Sequence, residues 1–233
     1  MSAPSPVIVA SELTKRFPGV LAVDHLSFDV VPGEIFGLVG PDGAGKTTTL
    51  RMLAGVLPPD EGSATVAGCD IVRNPESAKR HLSYMPQRFG LYEDLTVDEN
   101  IRFYADLFGV RRAEREQRSE RLLAAAGMNE FRSRLAGQLS GGMKQKLGLV
   151  CALIHTPEVL LLDEPTTGVD PVSRRDFWGI LYSLLAEGVS FDVVVRADHI
   201  GQTSAAQRRH CDPPRLLQWT GPVIPRQARN SRS

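Results

Sequence analysis

The run Gly40-Pro41-Asp42-Gly43-Ala44-Gly45-Lys46-Thr47 constrains the fold of this chain more than any other feature. It fits the pattern G-x-x-x-x-G-K-[ST] at every position and follows the apolar stretch Glu34-Ile35-Phe36-Gly37-Leu38-Val39. Such a loop works only where a buried strand delivers it into a helix, so the sequence predicts a strand over 34–39 and a helix from Lys46 to about Gly55. Its glycines let backbone N–H groups approach phosphate oxygens without Cβ clashes. Lys46 then reaches the β- and γ-phosphates, Thr47 offers a hydroxyl to Mg²⁺, and Thr48 reaches the α-phosphate.

Two later stretches belong with that loop. Val159-Leu160-Leu161-Leu162 is apolar on both faces, as a central parallel strand requires, and it ends in Asp163 and Glu164. In a parallel sheet this end lies beside the phosphate loop. Asp163 is expected to hold Mg²⁺, directly or through water, and Glu164 to polarise the attacking water. Between the two comes Leu139-Ser140-Gly141-Gly142-Met143-Lys144-Gln145-Lys146, where a serine hydroxyl and consecutive backbone N–H groups open a helix, a second anion site. One phosphate chain is not easily held by two such elements of one monomer. The economical reading is that a second copy supplies Ser140, Gly141 and Gly142.

Strand signals at Val7 to Ala10, Leu26 to Val30, Ser63 to Ala67 and His81 to Met85 alternate with short helical stretches, whereas Thr96 to about His155 reads as helical and amphipathic. A helix is expected from about Val172 to Glu187. The pattern implies an α/β core, about 7–88 and 156–190, carrying an inserted α-helical lobe at about 89–155. The lobe opens at Thr96 with Glu99 three residues on, a capping box. Arg111-Arg112-Ala113-Glu114-Arg115-Glu116 is a solvated helix face.

Composition excludes several classes. The 27 basic residues balance 27 acidic ones, so no overall field recruits nucleic acid or anionic lipid. Cys69, Cys151 and Cys211 lack metal-ligand spacing and read as small buried residues of a reducing compartment. The start carries no signal-peptide pattern, and no segment approaches the roughly 18 apolar residues of a membrane span. The expected place is the cytoplasm.

From about Leu13 to Ser190 the chain resembles the nucleotide-binding subunit of ATP-binding-cassette (ABC) transporters. Within that family it is most similar to the ABC-2 type ATPases of multidrug and polysaccharide exporters, through Tyr84-Met85-Pro86-Gln87. The resemblance implies a P-loop NTPase (RecA-like) core with an N-terminal antiparallel β region. It implies ATP hydrolysis with Mg²⁺, a partner protomer forming a homo- or heterodimer, and an integral-membrane permease that holds the subunit on the inner face of the cell membrane. It makes Gln87 the switch-loop glutamine that touches Mg²⁺ or water, Phe17 the ring stacked on adenine, and Asp170 a residue that crosses the dimer interface. Asp170 before Pro171 also reads as a helix cap, and both roles can hold together. Cassettes of DNA repair or translation usually bring a long coiled coil or a second cassette, and neither fits between Lys46 and Asp163.

The pattern changes after Ser190. Residues 191–233 hold seven arginines, four prolines and no glutamate, although thirteen glutamates precede them. Phe191 to Val195 suits one more strand, and the rest reads as a disordered tail or as sequence out of frame. The family places a histidine near position 196, where Arg196 stands, and His199 is the nearest candidate. The alternative to a hydrolysing subunit is therefore a nucleotide-binding module that lacks this switch.

Overall fold

The structure, a computed structural model, describes residues 5–33, 35–186, 192–196 and 215–218. The chain opens with a hairpin in which β1 (Ile8–Phe17) and β2 (Val20–Val30) pair antiparallel. Pro18-Gly19 makes the turn, with Gly19 at φ 76°. Both strands run longer than the sequence signals at Val7 to Ala10 and Leu26 to Val30. Three register shifts along β1 break the alternation that marks a strand in sequence. After β3 (Ile35–Val39) and α1 (Lys46–Leu53), β4 (Glu61–Val66) pairs with β1 and β5 (Cys69–Asp70) with β4. The outer sheet thus has the order β2-β1-β4-β5.

The second sheet is parallel and carries the site. The helix α2 (Pro75–His81), capped by Asn74, leads into β6 (Leu82–Met85). The sheet is completed by β7 (Val159–Asp163), β8 (Asp192–Arg196) and β9 (Arg215–Gln218), in the order β6-β7-β8-β3-β9. Two of its five strands come from beyond residue 190, and β8 lies between β7 and β3. Asp163 stands opposite Arg196 in that register.

Between β6 and β7 the chain forms the helical lobe: α3 (Val97–Leu107), α4 (Arg112–Ala126), two short 3₁₀ turns and α5 (Gly141–Leu153). The capping box forms at its entrance, where Thr96 N donates to Glu99 Oε2 at 2.8 Å and Glu99 N donates to Thr96 Oγ1 at 3.2 Å. The charge run lies on the exposed start of α4, with Arg112 bound to Glu116 at 2.8 Å. The last long helix, α6 (Pro171–Ala186), follows β7. Among the described residues no helix is long and apolar enough to cross a membrane.

Every residue of β7 is buried, and its two faces serve two cores. Leu160 and Leu162 join Ile101, Leu123, Leu147 and Phe177 on the lobe side. Val159 and Leu161 join Ile8, Leu13, Phe36 and Leu50 on the hairpin side. At about 1.5–3 kcal/mol for each such side chain, this one strand ties the lobe to the core.

Of the cysteines expected to be buried, Cys151 is, and burial drives its thiol pKa up. Cys69 is only half-buried, because the two-residue β5 sits at the sheet edge, and its Sγ lies 3.3 Å from Ser77 Oγ. Cys211 lies outside the described residues.

His155, after α5, stacks on Phe108 with ring centroids 3.7 Å apart and an interplanar angle of 5°. Burial is the main reason its pKa falls from 6.5 to about 4. Below pH 6.5 the unfolded chain takes up a proton that the folded ring refuses until about pH 4, so stability drops as pH falls through that window. Chemical denaturation across pH 4–6.5 is expected to show a loss of about 3 kcal/mol that His155→Leu removes. An unchanged pH slope in that variant would refute the assignment.

Candidate functional site

Backbone geometry shapes the phosphate loop before any side chain does. Gly45, at the N-terminal cap of α1, has φ 87°, and a Cβ there would sit 2.0 Å from the Ala22 carbonyl oxygen of β2. Only glycine allows the loop to pass so close to the hairpin. The Lys46 ammonium folds back onto the loop, donating to the carbonyl oxygens of Gly40 and of Pro41, the latter at 2.9 Å. Pro41, Asp42 and Gly43 form the exposed crest.

A cavity of about 260 Å³ opens against this loop, lined by Phe17 and Ala22 from the hairpin and by Gly43 through Thr48. Phe17 is 43% exposed, and its ring centroid lies 5.9 Å from Lys15 Nζ. Lys15 is held in turn by Asp60 Oδ1 and the Pro58 carbonyl oxygen, each at 2.8 Å.

The acidic end of β7 meets the loop from below. Thr47 Oγ1 donates to Asp163 Oδ1 at 3.0 Å, joining positions far apart in sequence. Asp163 is 2% exposed, and its other oxygen, Oδ2, accepts from the Tyr84 hydroxyl at 3.1 Å. Burial first, and the Asp163 carboxylate second, push the Tyr84 pKa up to about 12. Glu164 adopts φ 51°, a left-handed conformation that costs a non-glycine residue of order 1 kcal/mol and recurs at functional sites. Its Oε2 accepts from Gln87 Nε2 at 3.1 Å and from Thr167 Oγ1 at 3.0 Å. The expected loop, acidic pair and switch-loop glutamine therefore converge in one place.

Ser140, Gly141 and Gly142 form a separate group that does not line the cavity. Ser140 caps α5, accepting from Met143 N at 3.3 Å. A Cβ on Gly142 would lie 2.4 Å from Ser173 Oγ and 3.7 Å from Val169 Cγ1, so the start of α5 packs tightly on the loop that carries Asp170. Asp170 Oδ1 accepts from Val172 N and Ser173 N, both at 3.0 Å, and these hydrogen bonds, that from the Ser173 side chain foremost, hold its carboxyl below the usual range. It does cap α6. His199 lies outside the described residues.

Two members of the site carried no signal of their own in sequence. Tyr84 opens the stretch Tyr84-Met85-Pro86-Gln87, but only its pairing with Leu161 shows that its hydroxyl points toward Asp163. Arg51, whose positive charge near the Tyr84 hydroxyl opposes the rise in its pKa, looks in sequence like any exposed helix residue.

A parallel sheet whose phosphate loop abuts an acidic strand, joined to an outer antiparallel sheet and an inserted helical lobe, defines a P-loop NTPase domain. Comparison with known proteins narrows the class. The sequence pattern of the ABC transporter family matches residues 23–167, and the chain belongs to that family. It is 56% identical over 185 residues to the "Probable multidrug ABC transporter ATP-binding protein YbhF" of Escherichia coli (strain K12), an alignment covering 78% of this chain and 32% of that protein. It is 45% identical over 177 residues to the "Nod factor export ATP-binding protein I" of Burkholderia thailandensis, covering 76% of this chain and 58% of that one. The chain thus spans about a third of the first relative and under two thirds of the second. A solved structure described as the ATP-binding subunit of an ABC transporter superposes with TM-score 0.77 at 28% identity, over 92% of this chain and 86% of the other.

A Gly45→Ala substitution is expected to lose at least tenfold in nucleotide affinity and to lower the melting temperature, through a left-handed alanine and the clash with Ala22. Gly141→Ala, whose Cβ meets nothing within 4 Å, is expected to leave the melting temperature unchanged. Fluorescent-nucleotide titration and thermal melts check both. Normal nucleotide binding by Gly45→Ala would contradict the geometry.

Proposed function

We propose that this chain is the ATP-hydrolysing subunit of an ABC exporter, acting as a dimer on a separate membrane permease. The observation that carries the reading is the convergence of Thr47, Asp163, Gln87 and Glu164 beside the phosphate loop, with Ser140 to Gly142 outside the cavity. Export is supported by the names of the multidrug and Nod factor relatives. An aqueous chain of the cytoplasm, held at the inner face of the membrane by its permease, fits the absence of a spanning helix among the described residues.

In this reading Phe17 stacks on adenine, while Lys46 and the N–H groups of Gly40 to Thr48 hold the phosphates. Among the described residues no three His, Cys, Asp or Glu side chains cluster to hold a metal. The donor set is a hydroxyl and a carboxylate already 3.0 Å apart, and it suits Mg²⁺, which takes its remaining ligands from phosphate oxygens and water. Thr47, Asp163 and Gln87 would hold the ion, whose part is to neutralise charge on the phosphates. Glu164 takes a proton from the attacking water. The water oxygen bonds to the γ-phosphorus as the bond to the bridging oxygen breaks, giving ADP and inorganic phosphate. Ser140, Gly141 and Gly142 approach the γ-phosphate held by the partner's loop, and Asp170 stands at the boundary between protomers.

A second reading is favoured by one observation. β8 ends at Arg196, opposite Asp163, where the family's histidine is expected. If His199 does not serve in its place, the chain binds ATP and hydrolyses it poorly. Steady-state ATPase activity of the purified chain, compared with Glu164→Gln, separates the two. A hydrolysing subunit loses about 10²–10⁴ in rate on that substitution while still binding ATP. Equal activities, with binding retained in both, would establish the binding module instead.

A further inference from the structure

The sheet register places three residues on one face: Tyr84 opposite Leu161, and Asp163 two positions beyond Leu161. Side chains two apart on a strand share a face, so Tyr84 and Asp163 both point toward the side covered by α1. On α1, Thr47 and Arg51 are four residues apart and occupy the same stripe of the helix. These two pairs interlock. The Tyr84 hydroxyl donates to Asp163 Oδ2 at 3.1 Å and Thr47 donates to Asp163 Oδ1 at 3.0 Å, with the positive charge of Arg51 near the hydroxyl.

We infer that Tyr84, backed by Arg51, is a positioning residue that fixes the carboxylate plane of Asp163 for the metal ion. The inference rests on the reading of Asp163 as the metal-holding carboxylate. A carboxylate bound at one oxygen still rotates about its Cβ–Cγ bond, whereas one tied at both oxygens to different elements does not. Thr47 is itself a candidate metal ligand, so its hydrogen bond is the one a cation would displace. The Tyr84 bond is directed at the opposite oxygen and would persist. The positive charge of Arg51 near the hydroxyl favours a proton directed away from it, toward Asp163. Removing an outer hydrogen bond of this kind typically costs 10–100-fold in metal affinity.

The test uses the full chain with a non-hydrolysable ATP analogue, titrated with Mn²⁺ and followed by electron paramagnetic resonance. Tyr84→Phe keeps the ring and deletes the hydroxyl. We expect Mn²⁺ to bind the nucleotide complex about tenfold more weakly, while nucleotide affinity without metal and the melting temperature stay as in the parent. Arg51→Met is expected to weaken Mn²⁺ in the same direction by less. Asp163→Asn separates the two layers of the argument. If it weakens Mn²⁺ and a folded Tyr84→Phe chain does not, the positioning role is wrong. If Asp163→Asn also leaves Mn²⁺ affinity unchanged, the reading of Asp163 beneath it is wrong, and the inference falls with it.

Discussion

The site depends on β7 being buried on both faces. A strand exposed on one side could slide in register or lie at an edge. Here Leu160 and Leu162 are locked into the lobe core, while Val159 and Leu161 are locked into the hairpin core. That double lock leaves the strand one position, and its C-terminal end is where the apolar run gives way to Asp163 and Glu164. The carboxylate of Asp163 is then carried to within hydrogen-bond distance of Thr47 on α1 and Tyr84 on β6. A one-residue slip would turn Asp163 into the opposite core and break both bonds.

What sequence reading captured follows from the same physics. The phosphate loop, the acidic pair and the capping box at Thr96 each carry their chemistry within a few consecutive residues, and each appears where the pattern puts it. The β1–β2 hairpin was only half legible, because bulges at Ala10, Leu13 and Lys15 interrupt the alternation that marks a strand. β9 left no recognisable signal: Arg215 to Gln218 lies in a stretch rich in proline and arginine, yet pairs with Phe36 to Val39. The Thr47–Asp163–Tyr84 chain is a relation among three elements, and no local pattern encodes it.

Two glycine positions divide the labour of the loops. Gly45 lets the phosphate loop pass against the hairpin, so that Phe17 and the loop line one cavity. Gly142 lets α5 press on Ser173, so that the Ser140 cap and the Asp170 loop pack together. The first unit lines the cavity, whereas the second presents exposed Ser140 and Gly141 away from it. On one chain the two do not meet in the cavity, which fits the two-copy site proposed above.

Mixing two inactive variants tests that central claim most directly. Lys46→Ala removes the phosphate grip, and Gly141→Asp sets a carboxylate against an incoming phosphate in a spot where the fold has open space. Each alone is expected to lack ATPase activity. In a mixed pair one site keeps an intact phosphate loop facing an intact Ser140-Gly141-Gly142 run. The account predicts that the mixture regains ATPase activity well above the sum of the separate variants. Activity that stays at that sum, with mixed dimers demonstrably formed, would contradict it.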